Sequence, residues 1–325
     1  MAKMLDGYRF KSLWTTHIGC IKGAVDYLNL DISLPWIFGG TGHAFVMNIH
    51  EELCPSGPTA WRFQMLFELA PNLGYKTDGM AAFRNEKGSV DWVDAPEAAW
   101  DFTKKCIDAN VPVYGWEMKV PEFYCVHGYD DVGYYYNGCL ANDGEGPKPW
   151  QELGQTEIGY IEMCGVHPVE PAPPAKAVKE AFEKVLWFAE NPEGYVFPKY
   201  ASGLKAYDYW MKFLDDSVDY QEGHAHGIGY NAEVWSECRK FAVDFLNEAK
   251  FKINDHVELF DTAIEHYSEA RDAIQCTADL YPFLSRQLSY LQDDERRASA
   301  VKDLQRARDA EEQGLEALAE LVKVL

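Results

Sequence analysis

Apolar positions along this chain follow two rhythms that change near residue 170. Beyond that point they recur every three to four residues, the spacing of one face of an α-helix. That rhythm predicts helices at 176–190, at 202–216 with Ser202 as N-cap, at 231–249 opening on Asn231, at 256–284 and at 294–325. An antiparallel helical bundle is the economical arrangement for them. Before residue 170 the signals mix. Helices are predicted at 20–29, at 58–74 with Pro58 in the first turn, and at 95–110. Aromatic and β-branched runs predict strands at 41–50, 111–118, 123–131, 133–138 and 157–166. The change of rhythm falls on His-Pro-Val-Glu-Pro-Ala-Pro-Pro-Ala-Lys-Ala, whose four prolines read as a linker. The expectation is an α+β chain with a mixed domain over 1–170 and an all-α domain over 171–325.

Composition narrows the classes of function. The chain has 325 residues, 47% hydrophobic and 25% charged, which excludes a disordered or collagen-like polymer and supplies two cores. Thirty Lys and Arg against 52 Asp and Glu leave a formal charge of −22. Such a chain repels phosphate backbones and anionic lipid, so neither nucleic acid nor a membrane is an expected partner. No apolar run reaches transmembrane length, and Met-Ala-Lys-Met-Leu-Asp at the start carries no signal-peptide pattern. Eight cysteines (20, 54, 106, 125, 139, 164, 238 and 276) are scattered without a CxxC pair. They read as reduced thiols of a cytoplasmic protein, with neither a zinc site nor a cofactor expected.

Four motifs bear chemistry. His17-Ile18-Gly19-Cys20 leads into an amphipathic stretch, and a Cys at a helix N-terminus meets the positive end of the dipole, which favours thiolate. His17 is near enough in sequence to serve that thiol as base. The bland alternative is an inert buried cysteine. Phe38-Gly39-Gly40-Thr41-Gly42-His43-Ala44-Phe45 allows close backbone approach without matching a phosphate-binding loop, and His43 reads either as a ligand contact or as a core histidine. In Gly115-Trp116-Glu117-Met118-Lys119-Val120-Pro121-Glu122-Phe123 two carboxylates lie among aromatics, where a raised pKa suits general acid or base work. An unbroken strand would place Glu117 and Glu122 on opposite faces, Pro121 breaks it, and a solvent-facing edge is the bland alternative. His224-Ala225-His226 could face one ion but reads as an exposed loop, and Cys54-Pro55-Ser56-Gly57-Pro58 as a rigid one.

Taken together, the Cys with a nearby His, the Phe-Gly-Gly turn, and Gly128-Tyr129-Asp130-Asp131 followed by an aromatic strand ending in Asn137 resemble the N-terminal domain of butirosin biosynthesis protein H. That domain is related to the papain-like cysteine peptidases that process bacteriocin leader peptides. The resemblance spans about residues 12–140 and implies a bacterial protein with a papain-like domain and a helical extension. It implies Cys20 as nucleophile and Asn137 as the residue that orients a catalytic His. At the family's His position this chain has Glu122, and at its oxyanion-hole Gln position Trp14. Two readings follow. In the first, Cys20 forms an acyl-thioester on a small molecule or peptide, served by His17 or His43, and the protein is an acyltransferase, amidase or related hydrolase. In the second, the scaffold has lost catalysis and binds an amine-bearing small molecule, a peptide or a metal, with Glu117 and Glu122 gripping the amine between Trp14, Trp36 and Trp116. A metal held by Cys20, His17 and Glu122 is a lesser option. The apolar stripe of the last helix, Leu-Glu-Ala-Leu-Ala-Glu-Leu-Val-Lys-Val-Leu, needs a covering surface and suggests a homodimer.

Overall fold

The computed structural model describes residues 2–84, 91–215 and 218–325. Its elements, in chain order, are β1 (Lys3–Met4), α1 (Thr16–Tyr27), α2 (Leu34–Gly40), β2 (Asn48–His50), α3 (Gln64–Leu73), β3 (Tyr75–Phe83), α4 (Ala95–Asp108), β4 (Val113–Trp116), β5 (Phe123–Tyr129), β6 (Gly133–Gly138), β7 (Ala141–Pro149) and β8 (Tyr160–Pro168). There follow α5 (Pro174–Glu190), β9 (Tyr200–Ser202), α6 (Leu204–Asp215), α7 (Glu222–Ile253), α8 (Val257–Leu280), α9 (Leu288–Gln292) and α10 (Asp294–Val324). They form two compact units: Met1–Ser33 with Gly74–Pro171, and Leu34–Leu73 with Ala172–Leu325. The change near residue 170 coincides with one crossing between units, while 34–73 clusters with the C-terminal helices.

The first unit is a sheet with strand order β3-β8-β4-β5-β6-β7, every pairing antiparallel, and β1 added to the far end of β5. β4 is buried along its whole length, as a strand covered on both faces must be. Helix α1 packs on β5, and its composition explains how. Gly19 and Gly23 stand one turn apart on one face, and the chain at 9–11 lies directly on them. A Cβ at Gly23 would come within 2.2 Å of the Arg9 carbonyl oxygen, and one at Gly19 within 2.4 Å of that of Lys11. The unit therefore holds its own N-terminal segment against α1.

In the second unit α7 packs on α8, and α10 on α8, α6 and α5. Left-handed Asn254 and His256 make the tight turn between α7 and α8. Ala317, Leu318 and Leu321, the stripe expected to need a second copy, are buried within this unit. The segment 34–73 adds α2 under α7, and Gly39 is the contact point: a Cβ there would meet the Phe245 ring at 1.9 Å. Several expected boundaries move. α1 begins at Thr16 rather than at 20, and α3 begins at Gln64, after the turns that contain Pro58. Of the strand expected over 41–50 only Asn48–His50 pairs, with β9, because His43–Phe45 is a turn of 3₁₀ helix. His224-Ala225-His226 is not a loop but the first turn of α7, where the Nδ1 atom of His224 accepts the Gln221 backbone N–H at 3.1 Å and closes a capping box. No helix among the described residues is long and apolar enough to cross a membrane.

Candidate functional site

Cys20 lies in the second turn of α1, past the first-turn amides that give a helix N-terminus its positive character. Its side chain is 0% exposed. Burial pushes the thiol well above the ordinary range, and the neighbouring Cys125 and the Glu122 carboxylate push it further. The Cys125 thiol points back at the Cys20 carbonyl at 3.9 Å, and Tyr8 shares this interior. The sequence places Cys20 where a dipole would ionise it; the folded chain places it where ionisation is most costly.

His17 is also buried, stacked on Phe123 with centroids 4.2 Å apart, and its Nε2 meets the Tyr114 hydroxyl at 3.0 Å. Thr16 Oγ1 donates to Glu122, and the Phe123 backbone N–H donates to the same hydroxyl oxygen. Glu122 is thereby tied to the start of α1, half-buried, as an anchor for the β4–β5 turn. Glu117 takes left-handed backbone (φ 59°) just past β4, and its N–H donates to the Glu122 carbonyl at 2.8 Å, so the two residues face each other across a tight turn. The Glu117 carboxylate is buried and accepts from Thr156 at 2.8 Å; burial raises its pKa, which the Thr156 bond partly offsets. Trp116 is core, edge-on to Phe123, while Trp14 is half-buried in the segment before α1. Trp36 belongs to the helical unit, under Lys252.

Asn137 does find a histidine, one that sequence reasoning passed over. His127 sits on β5 directly before the Gly-Tyr-Asp-Asp turn, at a register break in the β5–β6 pairing, and its Nδ1 meets the Asn137 side-chain amide at 3.0 Å. The orientation of Asn137 follows from its other partners: its oxygen accepts the Phe10 N–H at 2.6 Å and its amide donates to the Tyr8 carbonyl at 3.3 Å. The amide therefore also donates to His127 Nδ1, which leaves the ring proton on Nε2. Burial lowers the His127 pKa to about 4, with Arg9 contributing. Asn137 clamps the N-terminal segment onto the sheet and holds a neutral imidazole. It does not support an imidazolium. Deeper in the sheet, Glu162 is buried, accepts from Tyr160 at 2.7 Å, and has its pKa raised to about 6 by burial.

His43 lies in the helical unit, edge-on to Phe38 and Trp61, with neither ring nitrogen hydrogen-bonded among the described residues. Burial, then Arg239, lowers its pKa to about 3. It is a core histidine, held close to a buried ion pair. The Arg239 guanidinium donates to both Glu311 oxygens, at 2.6 and 2.9 Å, and to the carbonyls of Ala44 and Val46 at 2.9 Å each. Tyr207 donates to the same carboxylate. Cys20, His17 and Glu122 do not form a metal centre, since no group of three such donors among the described residues is arranged to hold an ion.

What the helical unit does offer is space. A cavity of about 640 Å³ opens between the end of α5, the loop 191–199, the start of α6 and the last turns of α10. Leu186, Val196, Phe197 and Leu315 give it apolar walls, and Glu190, Glu193, Glu316 and Lys205 line it with charge. Its size is that of a small-molecule site. No protein-family model matches the chain, and no curated protein sequence is similar to it.

Proposed function

We propose that this chain is a small-molecule-binding protein whose sheet unit keeps a papain-like arrangement without a working nucleophile. The observation that carries the reading is the enclosure of Cys20. A thiol that is 0% exposed, pushed to a high pKa and placed beside Cys125 and Glu122 has neither the access nor the charge that acyl transfer requires. Further support comes from Asn137, whose hydrogen bonds hold backbone and a neutral His127 rather than a proton-accepting pair. The papain-like assignment rests on α1 packed against an antiparallel sheet with His127 and Asn137 on neighbouring strands. The binding half of the proposal rests on the cavity in the helical unit.

Intact-mass spectrometry after incubation with p-nitrophenyl acetate and with an acyl-thioester tests the first half. No acyl adduct on Cys20 is expected in the native protein. A stoichiometric adduct that disappears in Cys20→Ala would overturn the reading in favour of thioester chemistry.

A further inference from the structure

The two edges of the sheet are built differently. At one end β7 carries Pro147 and Pro149, and its ladder with β6 slips at two places, devices that keep a further strand from adding. At the other end β3 has neither. Tyr75 to Phe83 pair with β8 residue for residue, without a bulge and without a proline. The hydrogen bonds fix which way this backbone points. In the same register, the Val169 N–H donates to the Gly74 carbonyl just before the strand and the Arg84 N–H to the Gly159 carbonyl just after it, so the even-numbered residues face β8. Val166, opposite Thr77, gives its N–H to Pro112 on the far side, as that alternation requires. Tyr75, Thr77, Gly79 and Ala81 therefore turn their N–H and C=O groups away from the sheet, where no hydrogen bond reaches them among the described residues. Lys76, Asp78, Gly79 and Ala81 are exposed, so the edge is open to solvent.

Charge selects what covers it. The charged residues of β3 are Lys76 and Asp78, two apart and so on one face. A second copy running antiparallel about a two-fold at Thr77 sets Lys76 of each copy opposite Asp78 of the other, in the pairs where side chains lie closest. The same alignment joins Thr77 to Thr77 and Tyr75 to Gly79 through their outward backbone groups. A two-fold at Asp78 would instead set that carboxylate against its own copy. In a chain of charge −22 this neutral stretch is also one where two copies meet without local repulsion. We propose that the protein forms a homodimer through β3, the two sheets joining edge to edge about Thr77. The self-association expected of the last helix falls on a strand edge instead, and it uses neither the cavity nor Cys20. The dimer consumes both β3 edges and β7 is blocked, so assembly stops at two.

Sedimentation velocity of the full-length protein over about 1–300 μM covers the range in which an interface below about 1,200 Å² populates. Sedimentation is expected to move from that of a 37.0 kDa monomer toward that of a dimer as concentration rises. Thr77→Pro removes an N–H that β8 does not use, so the dimer is lost while circular dichroism and thermal melting remain those of the wild type. Lys76→Asp and Asp78→Lys each set like charges against one another across the two-fold and weaken the dimer about ten-fold. An equimolar mixture of these two variants restores it, because each then meets its opposite charges on the other, a rescue that a merely misfolded variant would not give. A wild type that stays monomeric throughout overturns the second copy as the occupant and leaves the edge to an extended segment of another protein. A dimer that survives Thr77→Pro overturns β3 as the interface, and charge variants that fail to rescue each other overturn the pairing about Thr77.

Discussion

Arg239 and Glu311 show how single residues in this chain serve structure where chemistry was a fair expectation. The guanidinium is 0% exposed, and it holds the 3₁₀ turn at Ala44 and Val46 as well as the α10 carboxylate. Arg239→Met leaves Glu311 buried without its cation and is expected to cost about 3–5 kcal/mol in urea unfolding, much more than Lys240→Met one residue on, whose pair is exposed. Two buried titrating groups give opposite pH signatures. The folded His43 pKa of about 3 lies below its ordinary 6.5, so the stability tied to its neutral form is complete above 6.5 and lost as pH falls. Glu162, raised to about 6 from 4.5, contributes stability that is complete below 4.5 and lost as pH rises through 6. Between pH 7.5 and 5, at about 1.4 kcal/mol per pH unit, His43→Phe should gain about 2 kcal/mol relative to wild type. Over the same range Glu162→Gln should lose about 1.4 kcal/mol. Thermal or urea unfolding at both pH values measures each difference, and equal slopes for wild type and His43→Phe would show that His43 titrates normally in the fold.

Among the elements, what could be read from sequence depended on how each one is held. The C-terminal helices carry their own apolar stripes, so α5, α6, α8 and α10 lie within a few residues of the expected spans. The aromatic strands β5 and β6 were equally legible. β3 (Tyr-Lys-Thr-Asp-Gly-Met-Ala-Ala-Phe) and β7 (Ala-Asn-Asp-Gly-Glu-Gly-Pro-Lys-Pro) were not, because both are edge strands whose residues are mostly exposed or half-buried, and their only reason to be strands is the neighbour they pair with. The start of α1 was misplaced for a related reason: Thr16 and His17 are not apolar, yet they are buried by the β4–β5 turn, and that four-residue shift moves Cys20 from a dipole end to a core. His127 was missed although it adjoins the motif that signalled Asn137, because the family spacing directs attention to position 122. The glycine face of α1 is testable as an element. Gly23→Ala must displace Arg9 and is expected to cost about 1–3 kcal/mol and to speed proteolysis at 9–11, whereas Ala at the unencumbered Gly223 should leave both unchanged.

At the scale of the whole molecule, the two compact units are interleaved in sequence, with 34–73 inserted into the first and assigned to the second. The helical unit needs that segment: Ala44 and Val46 accept from Arg239, Asn231 donates to the Cys54 carbonyl, and Ser202 to that of Met47. A polypeptide of 172–325 alone is therefore expected to melt without a cooperative transition, and one joining 34–73 to 172–325 through a flexible linker to melt cooperatively, as followed by circular dichroism. A sharp melt of 172–325 alone would show that the insertion is dispensable. The central claim, that the protein binds a small molecule without thiol chemistry, turns on whether Cys20 is a nucleophile. The native-state rate of alkylation of each cysteine by iodoacetamide, followed against pH and resolved by peptide mass spectrometry, answers that most directly. Cys20 should react as slowly as buried Cys125 and Cys164 and far more slowly than half-buried Cys54, Cys139 and Cys276. Alkylation of Cys20 ahead of all the others, with an apparent pKa below the free-thiol value of about 8.5, would contradict the claim and restore the acyl-thioester enzyme.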